Sequence, residues 1–143
     1  MLVLYGRSGT GKSKLARALY GEADTLVVDV QGAKHPDLHG YRRGKHKAIL
    51  LDEMRTATFI VENKKLLQAH VDGALLGQSA TQMFTYEAML WRVPIIVTTN
   101  KWRPSDFDAE DQDWLEANCV AIHINEPVWV HATADIMMDA DDL

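Results

Sequence analysis

The stretch Leu2-Val3-Leu4-Tyr5-Gly6-Arg7-Ser8-Gly9-Thr10-Gly11-Lys12-Ser13 decides the fold. Its first four residues form an apolar run that reads as a short buried strand, and Lys14 to Tyr20 reads as a helix. Between them, Gly6 to Ser13 matches G-x-x-x-x-G-K-[ST], a loop that wraps polyphosphate. Gly6, Gly9 and Gly11 carry no Cβ, so the backbone that includes Ser8 and Thr10 can close around phosphate oxygens. Inward amides and the positive end of the following helix then attract an anion. In this pattern Lys12 reaches the β and γ phosphates, and the Ser13 hydroxyl holds Mg²⁺.

Working outward, apolar runs recur at a spacing that alternates strands with helices. Leu2–Tyr5, Thr25–Val30, Ala48–Leu51, Pro94–Thr99 and Val120–Ile124 are short and rich in β-branched residues, as buried parallel strands are. Lys12–Tyr20, roughly Phe59–Ala69 and Glu110–Asn118 are the helices, with Gly21 placed as a C-cap. Lys34–Lys47 reads as a loop carrying five Lys and Arg. Val71–Trp91 contains turn signals at Asp72-Gly73 and Gly77, and Thr85–Trp91 suits either helix or strand. The expected class is α/β: a mainly parallel five-stranded sheet with flanking helices and a ligand at the carboxyl ends of the strands.

Two further strand ends carry chemistry. Ala48-Ile49-Leu50-Leu51 runs into Asp52-Glu53, the Walker B pattern of P-loop ATPases. Asp52 is the candidate for the Mg²⁺ shell with Ser13, and Glu53 the candidate general base for an attacking water. Pro94-Ile95-Ile96-Val97-Thr98-Thr99 ends in Asn100, which is placed to bond both the water and the γ-phosphate, although Asn also favours turns. ATP with Mg²⁺ is the expected ligand. A GTPase is disfavoured, because Asn100-Lys101-Trp102-Arg103 lacks the Asp of an N-K-x-D guanine motif. A small P-loop kinase with Asp29 as base leaves Asp52-Glu53 and Asn100 unexplained. A domain that binds ATP without translocating is the third alternative.

In this order the motifs resemble those of superfamily 3 helicases, AAA-type ATPases, above all the helicase domain of replication-initiator proteins of circular single-stranded DNA viruses. The likeness rests on Gly6–Ser13, Gly40-Tyr41, Leu50-Leu51-Asp52-Glu53 and Ile95–Asn100, and covers roughly residues 2–103. It implies a homo-oligomeric, hexameric ring that hydrolyses ATP and moves along single-stranded nucleic acid, with DNA favoured over RNA. It also implies a pore hairpin between Walker B and Asn100, here about His70–Gln82 with Gly73, Gly77, Gln78 and Ser79. The family's hairpin usually carries a cation, yet residues 66–91 have no Lys or Arg, and Lys64, Lys65 and Arg92 flank them. The family's arginine finger lies beyond the Asn, which leaves Arg103 as the candidate. The helical oligomerisation domain and nicking endonuclease domain that often precede this core have no counterpart before Leu2, so ring formation is expected to need a supplied partner or domain.

Size and charge bound the rest. The 143 residues suit one domain, read as residues 1–131 followed by an acidic tail at 132–143. No run of 18 apolar residues exists, so no membrane partner is expected. One cysteine, Cys119, excludes an internal disulfide and suits a reducing, intracellular compartment, and the six histidines show no zinc-ligand spacing. All fifteen Lys and Arg lie within residues 1–103 beside nine acids, a balance of +6, whereas residues 104–143 hold eleven acids and no Lys or Arg. The first part can meet a nucleic-acid backbone; the second repels one.

Overall fold

The computed structural model describes residues 1–68, 74–77, 85–88, 90 and 92–128, with backbone alone for 74–77 and 85–88. β1 (Leu2–Tyr5) leads through the glycine-rich loop into α1 (Lys12–Leu19), then β2 (Thr25–Asp29) and β3 (Ala48–Met54). Two short helices follow, α2 (Thr58–Glu62) and α3 (Lys64–Leu67), then β4 (Ala74–Gly77) and β5 (Thr85–Ala88). β6 (Ile95–Thr99), α4 (Ala109–Asn118) and β7 (Val120–His123) complete the order. Five strands form a wholly parallel sheet in the order β2-β3-β6-β1-β7. All five expected strands are there, and the α/β class holds.

Burial explains the strand sequences. β6 is buried along its whole length, as are Ala48 to Leu51 of β3, because both lie inside the sheet with covered faces. Alternate residues separate the two faces. Val3, Ile49, Leu51, Ile95 and Val97 pack with Ile60, Leu66, Leu67 and Leu115 from α2, α3 and α4. Leu4, Leu50 and Ile96 pack with Ala16 of α1 on the opposite face. The result is helix, sheet, helix, with the chain leaving β1 for β2 across the two intervening strands. That reversal opens a crevice beyond the carboxyl ends of β1, β3 and β6.

The single helix expected over about Phe59–Ala69 is two pieces. Asn63 separates them: its amide donates to the carbonyls of Phe59 at 2.7 Å and Lys34 at 3.0 Å, and its Oδ1 lies 2.8 Å from His35 Nδ1. A buried Asn that bonds nearby carbonyls interrupts the regular ladder. α4 begins as its sequence dictates, with the Asp108 carboxylate accepting from the Asp111 amide at 2.9 Å and acids filling the first turn. Lys34–Lys47 contains neither helix nor strand. Between β3 and β6, β4 and β5 pair antiparallel, Ala74 opposite Ala88 and Gly77 opposite Thr85, outside the main sheet. β4 falls within the expected interval of about His70–Gln82, and β5, its partner, lies beyond it at Thr85–Ala88. Gly73, Gln78, Ser79 and the expected tail at 132–143 lie outside the described residues. Among the described residues no helix is long and apolar enough to cross a membrane.

Candidate nucleotide site

The loop after β1 is held on both sides. The Gly6 amide donates to the Thr99 carbonyl at 3.2 Å, and the Ile124 amide donates to the Tyr5 carbonyl at 2.7 Å. A Cβ on Gly6 would stand 2.0 Å from the Ile124 carbonyl oxygen, and Gly6 has φ +153°, so no other residue fits there. Thr10 is buried, its hydroxyl donating to Arg7 O at 3.0 Å and its carbonyl accepting from the Val128 amide at 3.2 Å. Gly6 and Thr10 thus shape the loop from behind. Ser8, Gly9, Gly11, Lys12 and Ser13 line a cavity of about 770 Å³, with Glu53, Thr98 and Asn100 on its other wall. That volume lies in the range of sites that take a whole small ligand.

Lys12 is buried, and its ammonium donates to the carbonyls of Gly6 at 2.9 Å and Arg7 at 2.7 Å. An ammonium has three donors, so one remains for a phosphate oxygen. Burial lowers its pKa, and the negative charge of Asp52 opposes that shift. The Ser13 hydroxyl donates to Asp52 Oδ1 at 2.7 Å, and the Thr98 hydroxyl donates to the same oxygen at 2.5 Å. Two adjacent hard oxygen donors at the mouth of a phosphate loop suit Mg²⁺, which takes few protein ligands and completes its shell with water and phosphate. Among the described residues no group of three His, Cys, Asp or Glu could hold a metal ion.

The strand end solves a geometric problem in the sequence. Adjacent strand residues point to opposite faces. Here the β3–β6 pairing passes from Leu51–Val97 to Met54–Thr99, one extra residue on β3, and Glu53 takes the left-handed conformation at φ +60°. That bulge sets Glu53 on the cavity wall while Asp52 reaches Ser13. The Glu53 amide donates to the Thr98 hydroxyl at 3.0 Å, and the Thr99 hydroxyl donates to the Met54 carbonyl at 2.6 Å, which pins the bulge. A left-handed Glu costs free energy on the order of 1 kcal/mol, and such strain clusters at functional sites.

Asn100 is exposed at the end of β6 and lines the cavity. Arg103 does not line it. Arg103 is exposed beside it, in a smaller cleft with Thr56, Ala57, Thr58, Asp106 and Phe107. Asp29, the base of the kinase alternative, accepts the Gln31 amide at 2.8 Å and is absent from the cavity wall. Lys64 is engaged by the Asp111 carboxylate and lies 5.5 Å from the Trp114 ring centre. Sequence reasoning missed Thr98, Gln31 and Arg55. The signal for Thr98 was two polar residues closing an otherwise apolar buried strand; for the other two it was only their position beside strand ends. Cys119 is partly buried, and burial raises its thiol pKa, as befits a packing residue.

A parallel sheet with this strand order, a phosphate loop after its β1 strand and an acidic strand end facing it define a P-loop nucleotide-binding domain. Residues 2–120 match the model of the ATPase family associated with various cellular activities (AAA), and the chain belongs to that family. AAA ATPases bind ATP, usually with Mg²⁺, which accords with the donors found here. No curated protein matches the sequence. Among solved structures, the chain is similar to one described as "The A form apo structure of NrS-1 C terminal region-CTR", with 16% identity and a TM-score of 0.49. The match covers 88% of this chain and 29% of that one.

Proposed function

We propose that the chain is the ATP-hydrolysing motor domain of a superfamily 3-type helicase, acting on single-stranded nucleic acid, DNA in preference to RNA, as a homo-oligomeric and hexameric ring. The observation that carries the reading is the convergence of Lys12, Ser13, Glu53 and Asn100 around one cavity, with Asp52 bonded to Ser13. An antiparallel pair of strands between the Walker B strand and the Asn100 strand adds to it. In the reaction, Glu53 takes a proton from water as its oxygen bonds to the γ-phosphorus, and the bond to the β–γ bridging oxygen breaks with its electron pair leaving on ADP. Lys12 and the α1 N-terminus stabilise the charge on the phosphates, and Asn100 orients the water. Ser13 and Asp52 would hold Mg²⁺, which supplies Lewis-acid polarisation of the phosphoryl oxygens. Arg103, outside its own chain's cavity, suits a contact with the ATP of a neighbouring subunit.

Strand binding tests the nucleic-acid half of this reading. Arg43 and Lys45 are exposed, and the Arg42 guanidinium donates to the neutral carbonyls of His39 and Tyr41, both at 2.9 Å. Lys47 lies 3.3 Å from Asp24 at the surface, a weak pairing in water. Lys64 is already committed to Asp111. Neutralising Arg42, Arg43, Lys45 and Lys47 together is expected to weaken oligonucleotide binding more than neutralising Lys64 and Lys65. It should also flatten the salt dependence, by about 0.7 in log–log slope for each phosphate that the variant no longer neutralises. Fluorescence anisotropy on a short single strand at several salt concentrations measures both. Equal weakening in the two variants would remove the loop from the interface. No salt-sensitive binding by the parent at any protein concentration would favour a domain that binds ATP without translocating, the reading to which the cation-free residues 66–91 point.

A further inference from the structure

The cavity is lined by three cations to which the hydrolytic mechanism assigns no role, Lys14, Arg55 and Lys101, and Arg55 is the one that can present paired donors. Arg55 lines the same wall as Glu53, two residues beyond it and just past the bulge. Its guanidinium carbon lies 3.8 Å from where a Cβ would stand on Gly32, in the loop after β2. The Val30 amide donates to the Asp52 carbonyl at 2.9 Å, which carries the β2–β3 pairing one step further. Asp29 then accepts the Gln31 amide at 2.8 Å, and the Val30 carbonyl accepts from Ala33 at 3.1 Å, closing a tight turn. Gly32 sits in that turn at φ +70°, where a side chain would be strained, and the guanidinium lies against it at ordinary contact distance. Among the described residues Arg55 has no carboxylate within ion-pair distance.

The charges in the cavity call for such a group. A triphosphate brings several negative charges, and Glu53 adds another on the same wall. Lys12, Lys14 and Lys101 also line the cavity as point charges, and Lys12 has two of its three donors already on loop carbonyls. A guanidinium presents paired donors in a plane that matches phosphoryl oxygens, and it stays charged throughout.

We propose that Arg55 is a further catalytic residue, acting in cis: its guanidinium binds the terminal phosphoryl oxygens of a triphosphate held by Lys12 of the same chain, and so distinguishes triphosphate from diphosphate. The proposal rests on the ATPase reading and deepens it. As water bonds to the γ-phosphorus and the electron pair of the breaking bond departs on ADP, the proton goes to Glu53. Arg55 exchanges no proton and stabilises the charge spread over the three equatorial oxygens. Arg103 faces a different cleft, so the two arginines divide between the chain's own nucleotide and its neighbour's.

The test uses the full chain as parent, Arg55→Ala and Arg55→Lys. Affinities for ADP and for a non-hydrolysable ATP analogue are measured with Mg²⁺ beside phosphate release, and circular dichroism checks each fold. Arg55→Ala should keep ADP affinity within about twofold, lose about tenfold or more in analogue affinity, and slow phosphate release by about 10³-fold. Arg55→Lys should recover part of the analogue affinity and little of the rate, because it restores charge without the paired donors. A mixture of Arg55→Ala with Lys12→Ala should stay inactive, since no subunit then holds both groups. Unchanged analogue affinity, or equal reductions for ADP and analogue, would overturn the proposal; activity regained in the mixture would overturn its action in cis. A parent that releases no phosphate would sink the hydrolysis reading alone, because the comparison of analogue with ADP still decides the role of Arg55.

Discussion

Removing the distal arginine, Arg103→Ala, is expected to abolish most turnover, by about 10³-fold, with ATP affinity nearly intact. Arg103 is exposed in a cleft beside its own chain's nucleotide cavity, at the start of the turn Pro104–Asp106. In the proposed ring, a group so placed gives little to binding in its own subunit and acts on its neighbour's nucleotide. The variant should therefore complement Lys12→Ala: in mixed rings, some interfaces combine an intact phosphate loop with an intact Arg103. Phosphate release from the mixture, set against each variant alone, measures this. Unchanged turnover in Arg103→Ala would make it an ordinary surface arginine near Trp102.

Glu53→Gln should retain ATP and lose hydrolysis by about 10²- to 10⁴-fold, the usual worth of a general base. The amide preserves the size of the side chain, and the backbone at φ +60° remains tied to Thr98 through the Glu53 amide. What disappears is the proton acceptor. Titration with an ATP analogue should match the parent, while phosphate release collapses. If ATP affinity falls along with the rate, Glu53 serves binding and the base lies elsewhere.

The sheet was legible because its strands are buried on both sides, which leaves continuous apolar runs with little competition from surface chemistry. β1 falls where its run places it, and β6 starts one residue inside its run, after Pro94. The phosphate loop was legible because Gly6 tolerates no side chain against Ile124. β3 was less so. Its apolar run stops at Leu51, yet pairing resumes at Met54 opposite Thr99, because a bulge absorbs one residue of the acidic pair. No spacing rule discloses that bulge. The network of Ser13, Asp52 and Thr98 depends on register between β3 and β6, which is a tertiary property. Lys64 illustrates the same limit: the sequence offers it as a cation flanking the hairpin, and packing assigns it to Asp111 on α4. Asn63, inside an amphipathic stretch, breaks a helix because Lys34 and His35 lie within reach of its side chain.

Titration of a fluorescent ATP analogue into the parent and Lys12→Ala tests the central claim, that this cavity is a nucleotide site, most directly. The ammonium is buried and anchored to Gly6 and Arg7, with one donor remaining, and Lys12 lines the cavity. Removing a charge-assisted hydrogen bond there costs about 1.5–3 kcal/mol, so affinity should fall roughly tenfold or more. Equal affinity of the two proteins for the analogue would contradict the assignment of the loop, and with it the account of the site.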